Sequence, residues 1–205
     1  MSTFSNAIRA ILPAPCFERP FVCDGAPERC SVIVIGENPA TTVDVDWWSF
    51  WDDATGFNYA RWIESYRAAR QAKGKRPKSN TRLRLDRLCE HSLRCLETNA
   101  FSNERLNGSG AGVANSDLLD LAVSTLPNIS YVIVHGDKAA RYIDSRTMPR
   151  SIRYVFRTRH FKIESYAVLD GVAHTILADQ QDAGPAQQQS FLHQTTTVNR
   201  SERKS

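Results

Sequence analysis

The chain has 205 residues, 41% of them hydrophobic and 9% aromatic, which suits one soluble globular domain with a sizeable single core. No apolar run approaches the ~18 residues that a membrane span needs, and residues 1–10 lack the basic start and apolar core of a secretory signal. A cytoplasmic monomer with no membrane partner is therefore expected. The net charge of +4 says little by itself, whereas its distribution along the chain says more.

In chain order, the spacing predicts a short helix over 6–12, followed by an irregular arm carrying Pro13, Pro15, Pro20 and Pro27. Residues 1–30 are read as an arm packing on a domain that spans 31–178. The first strand is expected over 31–35, where Val32-Ile33-Val34-Ile35 are β-branched in succession, as in a parallel strand buried on both faces. It stops at Gly36, and Glu37-Asn38-Pro39 then stands at its carboxyl end. Pro39 biases Asn38 away from the helical region, so the turn can aim the Asn38 side chain. Asp46-Trp47-Trp48-Ser49-Phe50-Trp51 is too dense in large rings to be a solvated loop.

A helix is expected over 58–71, with Tyr59, Trp62, Ile63 and Tyr66 at three- and four-residue steps. A basic loop over 73–80 and a helix from about residue 81 precede a second strand over 93–98. Residues 102–115, with Gly108, Gly110 and Gly112, read as a mobile loop. Gly108-Ser109-Gly110-Ala111-Gly112 has neither the lysine of a P-loop nor the spacing of a dinucleotide fingerprint. Ser116 or Asn115 caps a helix to about residue 126. The third strand is expected over 131–134, a helix over 137–143 and the fourth strand over 152–156. The sequence offers no full helix after Ser165, and 179–205, rich in Gln, Ser and Thr, read as a disordered tail. Strand alternating with helix four times implies an α/β fold, a four-stranded parallel sheet flanked by helices in three layers.

Charge is concentrated in two stretches. The first runs from Arg67 to Arg87 with Asp86 as its only acid, and the second runs from Arg141 to Lys162. Such patches suit a phosphate backbone, and they also suit an ordinary solvated face. The five cysteines (Cys16, Cys23, Cys30, Cys89, Cys95) include no C-x-x-C pair and are odd in number, so neither a metal site, a cofactor nor a disulfide framework is expected. Cys89 and Cys95 are read as facing the interior around the second strand.

Polar residues follow several strands: Asn38 after the first, Asn99 after the second, His135 after the third and His160 after the fourth. With these placed, the chain resembles the uracil-DNA glycosylase superfamily over roughly 32–163. Gly36-Glu37-Asn38-Pro39 is similar to its first motif in the Gly-x-Asn-Pro form of the mismatch-specific and single-strand-selective branches. Thr98-Asn99-Ala100 resembles its pyrimidine-reading asparagine. The stretch from Val134 to Ala140 resembles its third-strand turn, and Arg159-His160-Phe161 stands where its histidine motif is found. The resemblance implies a three-layer fold of that superfamily and metal-independent hydrolysis of the bond between deoxyribose and uracil or a related deaminated base, in DNA flipped into a pocket. The partner it implies is DNA carrying such a base.

It also implies roles. Asn38 would hold the attacking water, or else merely cap the turn. Asn99 would read uracil N3–H and O4, or satisfy loop backbone. His160 would stabilise the departing anion at O2, or be a surface histidine. Phe50, about a dozen residues after Asn38, would stack on the base, and Glu37 would sit at the substrate, turned from the phosphodiester or acting on the water. His135 is read as structural, or as supporting a residue that contacts the base. Phe161-Lys162 replaces the superfamily's usual Pro-Ser; Phe161 would wedge into the gap left by the base, while Lys162 and Arg159 would contact DNA. A non-catalytic nucleic-acid or nucleotide-binding module, or an enzyme of small nucleosides, remains an alternative on the same residues.

Overall fold

The computed structural model describes residues 3–39, 41–101 and 116–182. The elements run α1 (Thr3–Ile11), β1 (Val32–Gly36), a hairpin of β2 (Trp51–Asp52) and β3 (Gly56–Phe57), α2 (Tyr59–Gln71), α3 (Asn80–Glu90), β4 (Cys95–Asn99), α4 (Ser116–Thr125), β5 (Tyr131–His135), α5 (Asp137–Asp144), β6 (Tyr154–Thr158) and α6 (Tyr166–Asp182). The main sheet has the order β4-β1-β5-β6, and every pair in it is parallel. Among the described residues no helix is long and apolar enough to cross a membrane.

Strand burial explains the layers. Alternate residues of a strand face opposite sides. Ile33 and Ile35 of β1 therefore join Leu96, Val132 and Val134 in one core with residues of α1, α2, α4 and α5. Val32 and Val34 face the other side, with Tyr131, Ile133, Leu85 and Leu88 of α3, and Leu169, Ala173 and Ile176 of α6. The result is a three-layer α/β/α domain. The aromatic stretch closes the first core: Trp47 packs edge-on against Phe21 at 4.8 Å and stacks with Phe57 at 5.5 Å, while its indole N–H donates to the Phe21 carbonyl.

Side-chain caps set the helix starts nearest the site. Asn58 accepts from the Arg61 amide at 2.9 Å and Ser79 from the Arg82 amide at 3.0 Å, each satisfying an orphan donor of a first turn. The N-terminal arm pairs along the outer edge of β4. Val22 and Glu97 exchange backbone hydrogen bonds of 2.9 and 2.7 Å, and Thr98 donates to the Pro20 carbonyl. An edge that would otherwise expose unpaired amides is thereby covered.

Three expectations require correction. A full helix does follow Ser165: α6 has 17 residues, and Leu169, Ala173 and Ile176 bury its inner face. It is tied to α3 by Asp170, which accepts from Arg87 at 2.8 Å and lies 2.7 Å from His91. Second, residues 179–182, assigned to a tail, form the last turn of α6, where Asp179 accepts from the Tyr131 hydroxyl at 2.6 Å and Arg153 at 2.7 Å. Third, the β2–β3 hairpin was not anticipated; two-residue strands carry too little periodicity to read. The glycine-rich segment 102–115 and the remainder of the expected tail lie outside the described residues.

Because α6 closes the second face, Ile176→Ala should destabilise the domain by about 2–5 kcal/mol, the cost of a buried aliphatic truncation. Val168→Ala, on the exposed side of the same helix, should change stability by less than about 0.5 kcal/mol. Urea unfolding of the two variants checks both; equal effects would contradict this packing.

Candidate active site at the carboxyl edge of the sheet

Strand register brings the polar strand ends together. Gly36 pairs with Asn99 across β1 and β4, while Ile35 pairs with Val134, so His135 follows on the other side of Gly36. Asn99, Gly36 and His135 share the face of Glu97, Val34 and Ile133, the side covered by α3 and α6. The chain leaves β1 toward β4 but leaves β5 toward β6. The two adjacent strands therefore send their loops apart and open a crevice of the kind where α/β sheets bind ligands. Gly36 has no side chain to fill it. A Cβ there would stand 2.9 Å from His135 Nε2 and 3.1 Å from Asn99 Oδ1, so the bare Cα permits the two polar side chains to approach one point.

Above this floor lies a cavity of about 370 Å³, large enough for a nucleotide. Asn38 from the β1 loop, Asn99 from β4 and His160 from the β6 loop all line it, and His135 does as well. Its walls are Tyr66 and Arg70 of α2, Arg76 from the loop before α3, and the first turns of α3. Asn99 is 6% exposed; its Oδ1 accepts from Arg19 of the arm at 3.4 Å, and its Nδ2 has no partner among the described residues. A buried amide N–H₂ left unpaired is costly unless something else occupies its donors.

Electrostatics add a second bias. Arg82 and Glu97 form a buried bidentate pair at the base of the cavity and neutralise each other. The other cations that line it rest on neutral partners. Arg70 donates to the Arg76 carbonyl and to Thr41, Arg76 to Asn80, and Arg19 to Asn99. With Lys162 these make a positive rim that attracts anions.

The histidine loop is held from both sides. Phe161 is fully buried and stacks on the His135 ring at 4.2 Å, and its amide donates to His135 Nδ1 at 3.4 Å. Buried Glu164 accepts from the Arg159 and Ser165 amides, both at 2.9 Å, and Asn80 reaches across to the Lys162 carbonyl. His160 stands edge-on to His135 at 5.1 Å, with its own Nδ1 accepting from the Lys162 amide at 3.0 Å. In both imidazoles the bond to Nδ1 leaves the proton on Nε2. Burial, reinforced by His160 and Arg19, pushes His135 down to about 3, so it is neutral at physiological pH.

Several sequence-based assignments need correcting. Phe50 is buried in the first core and does not line the cavity; its ring packs on Phe57 at 6.0 Å. Counting a dozen residues from Asn38 lands in the aromatic core, while the ring that does line the cavity is Tyr66, whose hydroxyl donates to Ser79 at 3.0 Å. Phe161 is buried and unavailable as a wedge. Glu37 is turned to the start of α5, where its carboxylate accepts from the Lys138 amide at 3.2 Å. That placement requires Gly136, at φ 92°, because a Cβ there would lie 2.8 Å from Glu37 Oε1. Arg159 does not line the cavity and pairs with Glu164 at 3.1 Å. Lys162 does line it.

His135 is also part of the cavity wall. Its signal was available: it follows the third strand as Asn38, Asn99 and His160 follow theirs. Arg82 and Glu97 carried no such signal. The second basic stretch proves largely spent on ion pairs: Arg146 with Asp120, Arg153 with Asp179, and Arg157 with Asp144.

The thiols stand apart from this site. All five cysteines are free, and Cys89 is exposed rather than interior. Cys23, Cys30, Cys89 and Cys95 border a second cavity of about 530 Å³ behind α3. A neighbouring thiol in each case, together with burial, raises Cys23 and Cys95 well above the ordinary thiol range. Among the described residues no group of three or more His, Cys, Asp or Glu is placed to hold a metal ion.

No protein-family model and no curated protein matches the chain.

The neutrality of His135 sets a pH dependence. Its folded value lies below the ordinary 6.5, so below that pH the unfolded chain binds the extra proton and stability falls as pH drops toward 3. Between pH 7 and pH 4.5 this one group should remove about 2–3 kcal/mol. Urea unfolding of the parent and of His135→Gln at both pH values measures it. The variant should show a correspondingly smaller loss, and equal losses would mean that His135 ionises freely.

Proposed function

We propose that this chain is a DNA glycosylase that hydrolyses the N-glycosidic bond of uracil or a related deaminated base by flipping it into the cavity above Gly36. The observation that carries the reading is one cavity lined by Asn38, Asn99 and His160, beside which the Asn99 amide is buried with a donor unmatched among the described residues. Each residue type suits one demand of the reaction. The C1′–N1 bond breaks with its electron pair on the base, leaving an oxocarbenium-like sugar. Asn38 holds a water by its carbonyl oxygen, which suffices because a cationic sugar needs no strong base. The base leaves as an anion whose carbonyl oxygen is met by the Nε2–H of His160. The water adds to C1′ and releases its proton to solvent, and the base takes up a proton from solvent after leaving.

The remaining roles are reassigned. Tyr66 supplies the ring against the base in place of Phe50. The wedge passes to Ile163, 61% exposed beside Lys162 on the same loop. The cationic rim of Arg19, Arg70, Arg76 and Lys162 meets phosphate, and no step calls for a metal.

A second reading is favoured by one observation. Because the second basic stretch is largely ion-paired, the cations at the cavity would grip a short strand or a single nucleotide better than a long duplex. An enzyme of small nucleosides or nucleotides fits that distribution.

Single-turnover cleavage of uracil-containing single- and double-stranded oligonucleotides, in EDTA, tests both readings. Asn38→Ala and His160→Ala should each lower the rate about 10²-fold or more, the scale of losing one preorganised contact. Tyr66→Ala should cost about 1–3 kcal/mol of base stacking, whereas Phe50→Ala should act on unfolding rather than on the rate of the folded protein. Cleavage of free nucleotides with oligonucleotides left intact would select the second reading, and no cleavage of either would leave only binding.

Affinity for single-stranded DNA should fall with salt at a log–log slope of roughly −2 to −3, the release expected for three or four phosphates. A slope near zero, measured by fluorescence anisotropy, would remove phosphate from the rim.

A further inference from the structure

We propose that Tyr166 and Arg84 form a stacking site for the base next to the flipped one, so that the chain takes its DNA as a single strand. The inference rests on the glycosylase reading for the base in the cavity. It adds a second contact, outside the cavity, that selects the form of the strand.

Residues 162–168, from the histidine loop to the first turn of α6, form an apolar surface with positive borders. Of the seven large hydrophobic residues exposed among the described residues, three lie in this stretch: Ile163, Tyr166 and Val168. Its only acid, Glu164, is buried and paired with Arg159. Lys162, which lines the cavity, and Arg84 of α3 border the patch, and neither has a carboxylate partner among the described residues. Arg84 donates to the Glu164 carbonyl at 2.6 Å and to the Asn80 carbonyl at 3.2 Å, and its guanidinium stands 5.2 Å over the Tyr166 ring. Tyr166 is nevertheless 44% exposed, so Arg84 steadies the ring while leaving ring surface open to a ligand. Asn80 lines the cavity, and the four steps of α3 from Asn80 to Arg84 rise about 6 Å. The ring thus stands about one helical turn from the cavity wall, within reach of the next base of a strand.

An exposed ring backed by a guanidinium, with a second free cation beside it, suits a flat base joined to phosphate. A purely apolar partner would cover the ring but leave both cations without a counter-charge. In a duplex the bases beside the target are paired and stacked on one another, so neither offers a face to Tyr166. In a single strand the neighbour is free to leave the stack and lie on the ring. Ile163, 61% exposed between Lys162 and Tyr166, then separates the two bases. Every base has a π-face, so this contact selects a strand without selecting its sequence. A lone nucleotide has no neighbour and gains nothing from it, which separates this site from the small-nucleotide reading.

The test measures, by fluorescence anisotropy, how the full chain binds two labelled single strands carrying 2′-fluoro-2′-deoxyuridine, whose fluorine resists cleavage of the C1′–N1 bond. One strand has ordinary bases on both sides of that nucleotide, and the other has abasic spacers there. Tyr166→Ala should weaken binding of the first about 5- to 150-fold, the scale of one base–aromatic stack, and of the second less than about twofold. Tyr166→Phe, which keeps the ring, should bind both strands like the parent. Annealing a complement to the first strand should remove the dependence on Tyr166. Equal losses on the two strands, no loss on the first, or a dependence kept in the duplex would each overturn the inference. A parent that binds neither strand overturns it too, and a self-associated form lost in Tyr166→Ala would then assign the patch to a second copy. Should Tyr166→Ala fail to fold, NMR of the parent decides. An upfield ring-current shift of the Tyr166 ring protons with the first strand alone supports the site, and a shift with both strands or neither overturns it. Cleavage of ordinary uracil-containing strands is scored separately: strands bound through Tyr166 but never cut leave this site standing and sink the glycosylase reading.

Discussion

The site depends on what Glu97 holds together. Its backbone exchanges two hydrogen bonds with Val22, fixing the N-terminal arm along β4, and its carboxylate grips Arg82 of α3 through two hydrogen bonds. One residue therefore registers three elements. The arm brings Arg19, α3 brings Ser79 and Asn80, and two positions further along the same face of β4 stands Asn99. A buried carboxylate in mid-strand is costly to desolvate, and a paired guanidinium returns that cost only with good geometry. Arg82 supplies it while also lying 5.6 Å over the Trp62 ring and 3.1 Å from Asp86. Apolar residues of similar volume could stabilise the contact as well, but they would not fix the polar cavity wall in the same orientation.

The reach of sequence reasoning follows from where the signals lie. The four sheet strands and α2 to α5 were legible because β-branched runs and three-to-four-residue apolar spacing are local patterns with capping residues beside them. Asn38, Asn99 and His160 were legible for a related reason. Polar residues immediately after a buried strand have no local use, and in a parallel sheet all such positions gather at one edge. What failed was anything set by distance in sequence. Phe50 was chosen by counting, but the chain between Asn38 and α2 folds into the aromatic core, so a ring from the helix reaches the cavity instead. Phe161 looked like an exposed wedge because it follows an exposed turn, yet stacking on a histidine 26 positions earlier buries it. The charge stretches stayed open between two readings for the same reason, since the acids that neutralise Arg146, Arg153 and Arg157 sit on other elements. The helix α6 was hidden because apolar residues lie on both of its faces: Tyr166 and Val168 are exposed while Leu169, Ala173 and Ile176 are buried, which blurs the helical period.

The glycine at the end of β1 connects fold to chemistry most directly. A parallel strand normally ends with a side chain above the sheet, and that side chain would here occupy the space between His135 and Asn99. Removing it costs little stability at a strand terminus, and it turns a packed edge into a floor with two polar walls. The same economy appears at Gly136, whose missing Cβ lets Glu37 cap α5 and keeps its carboxylate out of the cavity. The two glycines thus act oppositely, one admitting His135 and Asn99 to the cavity floor and the other withdrawing an acid from it.

That separation of charge bears on how such a cavity could favour an anion that exists only during reaction. A cation beside the base would attract the phosphates of every strand and bind ground state and transition state alike, which lowers no barrier. Here the cations stand at the rim, apart from the self-neutralising Arg82–Glu97 pair at the base, and the floor over Gly36 carries His135 Nε2 beside Asn99 Oδ1. Burial and the positive rim act in the same direction on His135, holding it uncharged. On the glycosylase reading proposed above, the arrangement would divide the work by distance: long-range attraction for the backbone outside, and short-range hydrogen bonds that grow only as the base takes up negative charge within. A polar cavity with its free cations kept at the rim is what that division requires, and the polar side chains gathered over Gly36 are where it is open to test.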